Sequence, residues 1–234
     1  PLLAPMSTIA GQLAFTVGSY HLLKHNKGKG VMIGQMDDMD PRVVTVIGAG
    51  VAGTQSILKA IDNKAFVKVV DSSQAKLDDL KSKFGSNNIE YILSTKDSIQ
   101  VSINESDLVI GSVYVVGKEA PKVITREMLS SMNPGTVMVD VSIDQGGCFE
   151  SSKPTTHDSP TFLENDIVHY CVTNMPGAVP LTATEALNKV SLSYVENLAN
   201  NGIKNALNSD EHLRNGLNIL DGRIVHPAVK EALE

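Results

Sequence analysis

Gly48-Ala49-Gly50-Val51-Ala52-Gly53 is the stretch that most limits how this chain can fold. It follows directly on Val43-Val44-Thr45-Val46-Ile47, a short β-branched run, and opens a helical pattern over residues 51–61. Phe66-Val67-Lys68-Val69-Val70 then reads as a second strand, tipped by the acid Asp71. A GxGxxG alone says little, because glycines are common in turns. Set between a strand and a helix, with an acid-tipped strand following, it specifies one crossover unit. Gly48 permits the tight strand-to-helix turn. Gly50 has no side chain to keep a ligand off the backbone. Gly53 lets the helix lie close on the sheet.

The alternation continues along the chain. Residues 73–84 read as a helix, 89–93 and 107–110 as strands, 125–132 as a helix, and 136–141 and 167–172 as strands. This spacing predicts an α/β fold: a Rossmann doubly wound parallel sheet with helices on both faces. Ahead of it, residues 6–25 read as a helix with Ser7 able to cap its start, and 31–34 as a short strand. Residues 148–166 read as loop. Beyond Pro176 and Pro180, residues 182–207 form a long helix, bent near Ser191–Ser193. The domain boundary is placed near Gly177, giving a dinucleotide-binding domain over 1–176 and a helical piece of a second domain over 177–234.

A helix N-terminus carries free N–H groups and the positive end of the helix dipole, so a pyrophosphate is the natural occupant of the glycine turn. Asp71 would accept hydrogen bonds from the adenosine ribose and repel a 2′-phosphate. Ser72 and Ser73 follow rather than an Arg, so the cofactor read from these residues is NAD, not NADP. With 20 Lys+Arg against 26 Asp+Glu and a formal charge of -6, the chain carries no surplus of cations for nucleic acid. No apolar run approaches the roughly 20 residues that cross a membrane. Two cysteines, Cys148 and Cys171, fit no metal or redox spacing and suggest a reducing compartment, so a cytoplasmic location is expected. No metal site is expected: His157 and His169 stand alone, and His169 lies in an apolar strand where a core role is favoured.

Longer stretches resemble the alanine dehydrogenase family. They are the residues of 1–7 (Pro-Leu-Leu-Ala-Pro-Met-Ser), 107–111 (Asp-Leu-Val-Ile-Gly), 139–147 (Val-Asp-Val-Ser-Ile-Asp-Gln-Gly-Gly), 154–158 (Pro-Thr-Thr-His-Asp) and 169–180. They follow in that family's order across essentially the whole chain. The resemblance implies roles. Ser7 would contact the cofactor, Asp71 would hold the ribose with Lys76 nearby, and Ser94 would sit beside the adenine. Val113 and Tyr114 would line the crevice. Val141, Ser142, Ile143 and Asp144, with Val172, Thr173, Asn174 and Met175, would lie at the nicotinamide end. Asp144 would be the catalytic acid–base group. Its place just beyond a strand end, at the sheet edge where such folds bind ligands, independently favours function. Without the resemblance, the strand valines, Ser94 and Lys76 would pass as structural.

The implied reaction is reversible oxidative deamination of L-alanine to pyruvate and ammonia, in a homo-oligomer, a hexamer by resemblance. The family's carboxylate-holding Arg and its catalytic Lys and His precede the stretch corresponding to residues 1–7. The chain is therefore expected to be part of a longer protein and inactive alone. Lys153 stands where many members have Arg. The rival readings are the NAD-binding domain of proton-translocating transhydrogenase, which lacks an acid at the position of Asp144, and a non-catalytic NAD-binding module.

Overall fold

The computed structural model describes residues 2–115 and 119–233. Within it the chain divides into two compact units, residues 6–180 and residues 181–233 with 2–5.

The larger unit is built on a seven-stranded sheet of order β3-β2-β1-β4-β5-β7-β6. Its strands are β1 (Val43–Ile47), β2 (Phe66–Asp71), β3 (Ile89–Leu93), β4 (Leu108–Gly111), β5 (Val137–Asp140), β6 (Thr161–Glu164) and β7 (Ile167–Tyr170). All neighbours are parallel except β6, which pairs antiparallel with β7 at the edge. The helices are α1 (Ala4–His21), α2 (Val51–Asp62), α3 (Gln74–Phe84) and α4 (Lys96–Asn104). This is the expected doubly wound α/β architecture, and its strand order reverses between β1 and β4. Ligands of open parallel sheets bind at that switch, outside the carboxyl ends of the strands.

The strand sequences explain the two faces. Successive side chains alternate across a strand. Val44, Val46, Val67 and Val69 face one core with Ala14 and Phe15 of α1, Ile57 of α2 and Leu77 of α3. Ile47, Val70, Val109 and Met138 face the other with Ile99 and Ile103 of α4, Leu129 and Phe149. Both faces are covered, so the strands read as near-continuous apolar runs. Helix α1 seats on α2 through Gly11, where a Cβ would collide with the Ala52 backbone. The Ser56 hydroxyl donates to the Gly11 carbonyl at 2.7 Å across that seam.

Several boundaries differ from the sequence reading, each for a local reason. Helix α1 begins at Ala4, so Ser7 lies inside it and caps nothing; it ends at His21, before a short 3-10 turn over Lys24–Asn26. Residues 31–34 form no strand: they lie between Gly30 (φ 72°) and Gly34 (φ 107°), whose left-handed backbone interrupts extension. Glu127–Ser131 is a 3-10 turn rather than an α-helix. Helix α4 was hidden by its polar composition and short length, yet Thr95 and Ser98 cap it reciprocally. Strand β6 was hidden in what reads as a Pro- and Ser-rich loop, the usual place for an edge strand.

In the smaller unit, Pro180–Ser209 (α5) is broken at Gly202 (φ 70°, ψ 162°) and not near Ser191–Ser193. Only glycine adopts that backbone cheaply, whereas serines are tolerated within helices. It is followed by α6 (Glu211–Asn215), a two-stranded hairpin of Ile219–Leu220 and Arg223–Ile224, and α7 (Pro227–Leu233). Among the described residues no helix is long and apolar enough to cross a membrane.

His169 is fully buried in β7. Its Nε2 lies 2.8 Å from the Ser151 hydroxyl and its Nδ1 3.0 Å from the Ile167 carbonyl, while its ring stacks on Phe162 at 4.9 Å. This is the core histidine that the apolar strand suggested. Burial lowers its pKa from 6.5 to about 4. A depressed imidazole pKa means that the unfolded chain takes up the proton first as pH falls. The stabilisation is complete above pH 6.5 and is lost progressively between 6.5 and 4, to an extent on the order of 3 kcal/mol. Denaturant melts across that range should show this loss, and His169→Gln should flatten it.

Candidate functional site

The parallel strands bring distant chain segments to one edge. Ile47, Asp71, Leu93, Gly111 and Asp140 are the last residues of β1 to β5, so the loops after them share the carboxyl edge. Gly48, Ser94, Val113 and Val141 all follow such strand ends.

At the switch point, Gly48 has φ 100°, a conformation that side chains rarely adopt. A Cβ at Gly53 would collide with the Gly48 carbonyl and come 2.7 Å from the Ser112 hydroxyl. Gly50 differs: a Cβ there meets nothing within 4 Å. Gly50 is also the N-cap of α2 and offers no side-chain oxygen to the helix's free N–H groups. The turn is thus sterically closed at its two outer glycines and open at the middle one, where the first N–H groups of α2 have no side-chain cap, an arrangement suited to an anion.

Asp71 stands beside this turn, nearly buried. Its Oδ2 accepts from the Ala49 N–H at 2.7 Å and its Oδ1 from the Ser73 N–H at 2.9 Å. The carboxylate is fixed from behind and keeps lone pairs for two further donors. Lys76 lies on the first turn of α3 with Nζ 3.8 Å from Asp71 Oδ2. The Ser94 N–H donates to the Asp71 carbonyl at 2.9 Å, so Ser94 adjoins the same end of β2. Ser7 lies one helical turn before the Gly11 contact, half-buried.

The second half of the edge is the loop after β5. Val141–Gln145 forms a 3-10 turn capped by Asp140. Ser142 and Ile143 are buried; Asp144 is exposed. The Ser142 hydroxyl donates to the Val113 carbonyl at 2.8 Å, tying this turn to the loop after β4, where Tyr114 is 55% exposed. After β7, Val172 is buried and bridges to Thr155, and the Thr173 N–H reaches the Thr155 carbonyl. Asn174 takes a left-handed backbone, and its N–H donates to Asp144 Oδ1 at 3.1 Å. Met175 is buried directly behind it. The structure therefore joins the 141–144 and 172–175 segments through Asp144 itself. His157 Nε2 lies 3.3 Å from the Asn174 carbonyl. Lys153 instead pairs with Glu164 at 3.4 Å and covers the Phe162 ring.

Two residues escaped the sequence reading. The Ser112 hydroxyl donates to the Gly48 carbonyl at 2.8 Å. Asp140, fully buried, accepts from the Ser142 N–H at 2.9 Å, the Cys148 N–H at 2.8 Å, the Ser152 hydroxyl at 2.5 Å and the Cys148 thiol at 3.4 Å. Burial pushes its carboxyl pKa upward, and these hydrogen bonds oppose that. Asp140 was legible on the same ground as Asp71: it is an acid closing an apolar strand at the carboxyl edge. Burial also raises Cys148, and carries Cys171 up to about 12, so neither thiol supplies a thiolate near neutral pH. Among the described residues no group of three His, Cys, Asp or Glu is arranged to hold a metal ion.

The family described as alanine dehydrogenase/PNT, C-terminal domain, matches residues 14–227. The chain belongs to that family. It is 47% identical to an alanine dehydrogenase of Halomonas elongata over 232 residues, covering 99% of this chain and 62% of that protein. It is 45% identical to one of Mycolicibacterium smegmatis over 234 residues, covering 100% of this chain and 63% of that protein. A solved L-alanine dehydrogenase superposes with TM-score 0.94 at 43% identity, over 100% of this chain and 64% of that one. A transhydrogenase from Sinorhizobium meliloti superposes with TM-score 0.79 at 22% identity, over 96% of this chain and 63% of that one, a likeness of fold alone. The chain thus spans a little under two thirds of the length of these relatives.

Asp140→Asn replaces one acceptor oxygen by a donor that faces existing donors. It should lower unfolding stability by about 2–3 kcal/mol, read as a shifted denaturant midpoint.

Proposed function

We propose that this chain is the NAD-binding portion of an alanine dehydrogenase, acting in NAD-dependent reversible oxidative deamination of L-alanine to pyruvate and ammonia. In this reading residues 1–176 are the cofactor domain and 177–234 are part of the substrate domain. The observation that carries it is the pairing, on one edge, of the open Gly50 turn flanked by Asp71 with a turn that carries an exposed acid, Asp144. The 42–47% identity to proteins named alanine dehydrogenase supports the substrate, and the 22% identity to a transhydrogenase makes that rival weaker. A cytoplasmic location and a homo-oligomeric, hexameric assembly belong to the same proposal.

The residues present fit NAD. The N–H groups opening α2 suit its pyrophosphate, and the free lone pairs of Asp71 suit the two ribose hydroxyls. Ser7, Lys76 and Ser94 flank the adenosine half; Val113 and Tyr114 line the crevice; Val141–Asp144 and Val172–Met175 face the nicotinamide half. NAD, when bound, supplies the hydride acceptor for the substrate Cα. This chain's own part is to orient it and to handle protons. Asp144, exposed and hydrogen-bonded to the Asn174 N–H, is the group to move a proton at the substrate amine or the attacking water.

Fluorescence titration of bound NADH tests cofactor choice without tryptophan interference, since the chain has no Trp. NADH should bind more tightly than NADPH, and Asp71→Ala should weaken NADH by about 1.5–3 kcal/mol. Equal affinities would overturn the reading of Asp71. Where the complete active site is assembled, Asp144→Asn should sharply reduce alanine-dependent NADH formation while leaving NADH affinity nearly unchanged. Undiminished turnover would remove Asp144 from the proton pathway.

A further inference from the structure

The turn that carries Asp144 is gripped from two sides. On the inside, the Asp140 carboxylate gathers Ser142, Cys148 and Ser152 around itself. On the outside runs the segment 119–124. The Ala120 N–H donates to the Gln145 carbonyl at 2.9 Å and the Val123 N–H to the Cys148 carbonyl at 2.8 Å. Between those two bonds, the Lys122 ammonium donates to the carbonyls of both Gly146 and Gly147, the latter at 2.7 Å. Gly146 and Gly147 are consecutive left-handed residues, φ 85° and 78°. Such a pair is the most easily rearranged point of a loop, since glycine backbones have many alternatives. Among the described residues, the pair's other hydrogen bonds run within the turn itself: the Gly146 N–H to the Ile143 carbonyl and the Gly147 N–H to the Ser142 carbonyl, both at 3.0 Å. Among the described residues, the hydrogen-bond partner of Asp144, two residues before Gly146, is the Asn174 N–H, at 3.1 and 3.4 Å from its two oxygens.

We infer that Lys122 is a positioning residue for Asp144. Its ammonium, a charge-assisted donor to two adjacent carbonyls, pins the glycine pair and so sets the direction in which the Asp144 carboxylate points. This rests on the reading that Asp144 lies at the nicotinamide end.

The readout is the ratio of NAD⁺ to NADH affinity. A carboxylate held beside the nicotinamide favours the positively charged oxidised ring. Asp144→Asn should therefore shift the ratio toward NADH, by about fivefold for a unit charge in a partly hydrated crevice. Lys122→Met removes a positive charge, and by simple Coulombic action it would shift the ratio toward NAD⁺. If Lys122 aims Asp144, the shift is instead toward NADH, similar in size to that of Asp144→Asn. The double variant then adds nothing to either single one, and Lys122→Arg retains the wild-type ratio. A merely structural loss would weaken both redox forms equally.

A shift toward NAD⁺, or equal weakening of both forms, overturns the proposal. A second measurement separates it from the reading of Asp144. Amide exchange at Asn174 reports the Asp144 bond directly and should accelerate at least about tenfold in Lys122→Met, with β1 and β2 unaffected. If Asp144→Asn leaves the affinity ratio unmoved, the nicotinamide placement of Asp144 fails. The brace is then judged on exchange alone, and unaltered Asn174 protection refutes it.

Discussion

Helix α2 and the turn that precedes it approach each other so closely that no side chain fits between them at Gly53. The Gly48 carbonyl and the Ser112 hydroxyl occupy the space where a Gly53 side chain would stand. This sets the distance between the helix and the switch point of the sheet. Because α2 lies so low, its first N–H groups open directly onto the gap between β1 and β4. Helix α1 depends on the same geometry, for Gly11 rests on Ala52, one residue before Gly53. A larger residue at any of these three glycines would have to push the stack apart or twist the turn, so the shape of the glycine turn and the packing of the first two helices are one constraint.

Around that cradle the chain uses strand-terminal acids as fasteners. Asp71 closes β2 and binds the N–H groups of Ala49 and Ser73; Asp140 closes β5 and binds those of Ser142 and Cys148. Each satisfies loop donors that leave the sheet ladder and would otherwise be unpaired in a poorly hydrated place. The two then diverge. Asp71 carries two protein donors and has room for more. Asp140 carries four and is sealed from water, and burial raises its pKa. The first remains able to recognise a ligand, and the second serves the turn that follows it.

The parallel sheet, its switch point and the glycine turn were legible in the sequence because each depends on local patterns: β-branched runs, glycines at fixed offsets, and one acid at a strand end. What was not legible depended on the tertiary fold. Helix α4 is short and polar and edge strand β6 lies in a Pro- and Ser-rich stretch, and each is fixed by capping or by pairing with a neighbour. The break at Gly202 depends on one residue's backbone and leaves no periodic trace. Asp140 is the exception: as an acid closing an apolar strand it was legible, and it was passed over because Asp144, four residues on, carried the family resemblance. Lys122 lay in a stretch with no motif at all, and only the close approach of two loops gives it partners.

On the proposed reading, Asp140 and Asp144 divide support from chemistry within one short loop. Both are carboxylates on the same edge, within one turn of each other. A proton carrier must exchange its proton with substrate or solvent, and it must lose little free energy in doing so. Asp140 fails both conditions: its oxygens are saturated, and changing its charge would strand several donors. Asp144, exposed and bonded among the described residues to one backbone N–H, is free of both obstacles, as the role proposed for it requires. The freedom that makes Asp144 suitable also leaves its direction poorly determined by its own contacts. That direction has to come from the turn, and the turn obtains it from the buried acid beneath and the lysine above.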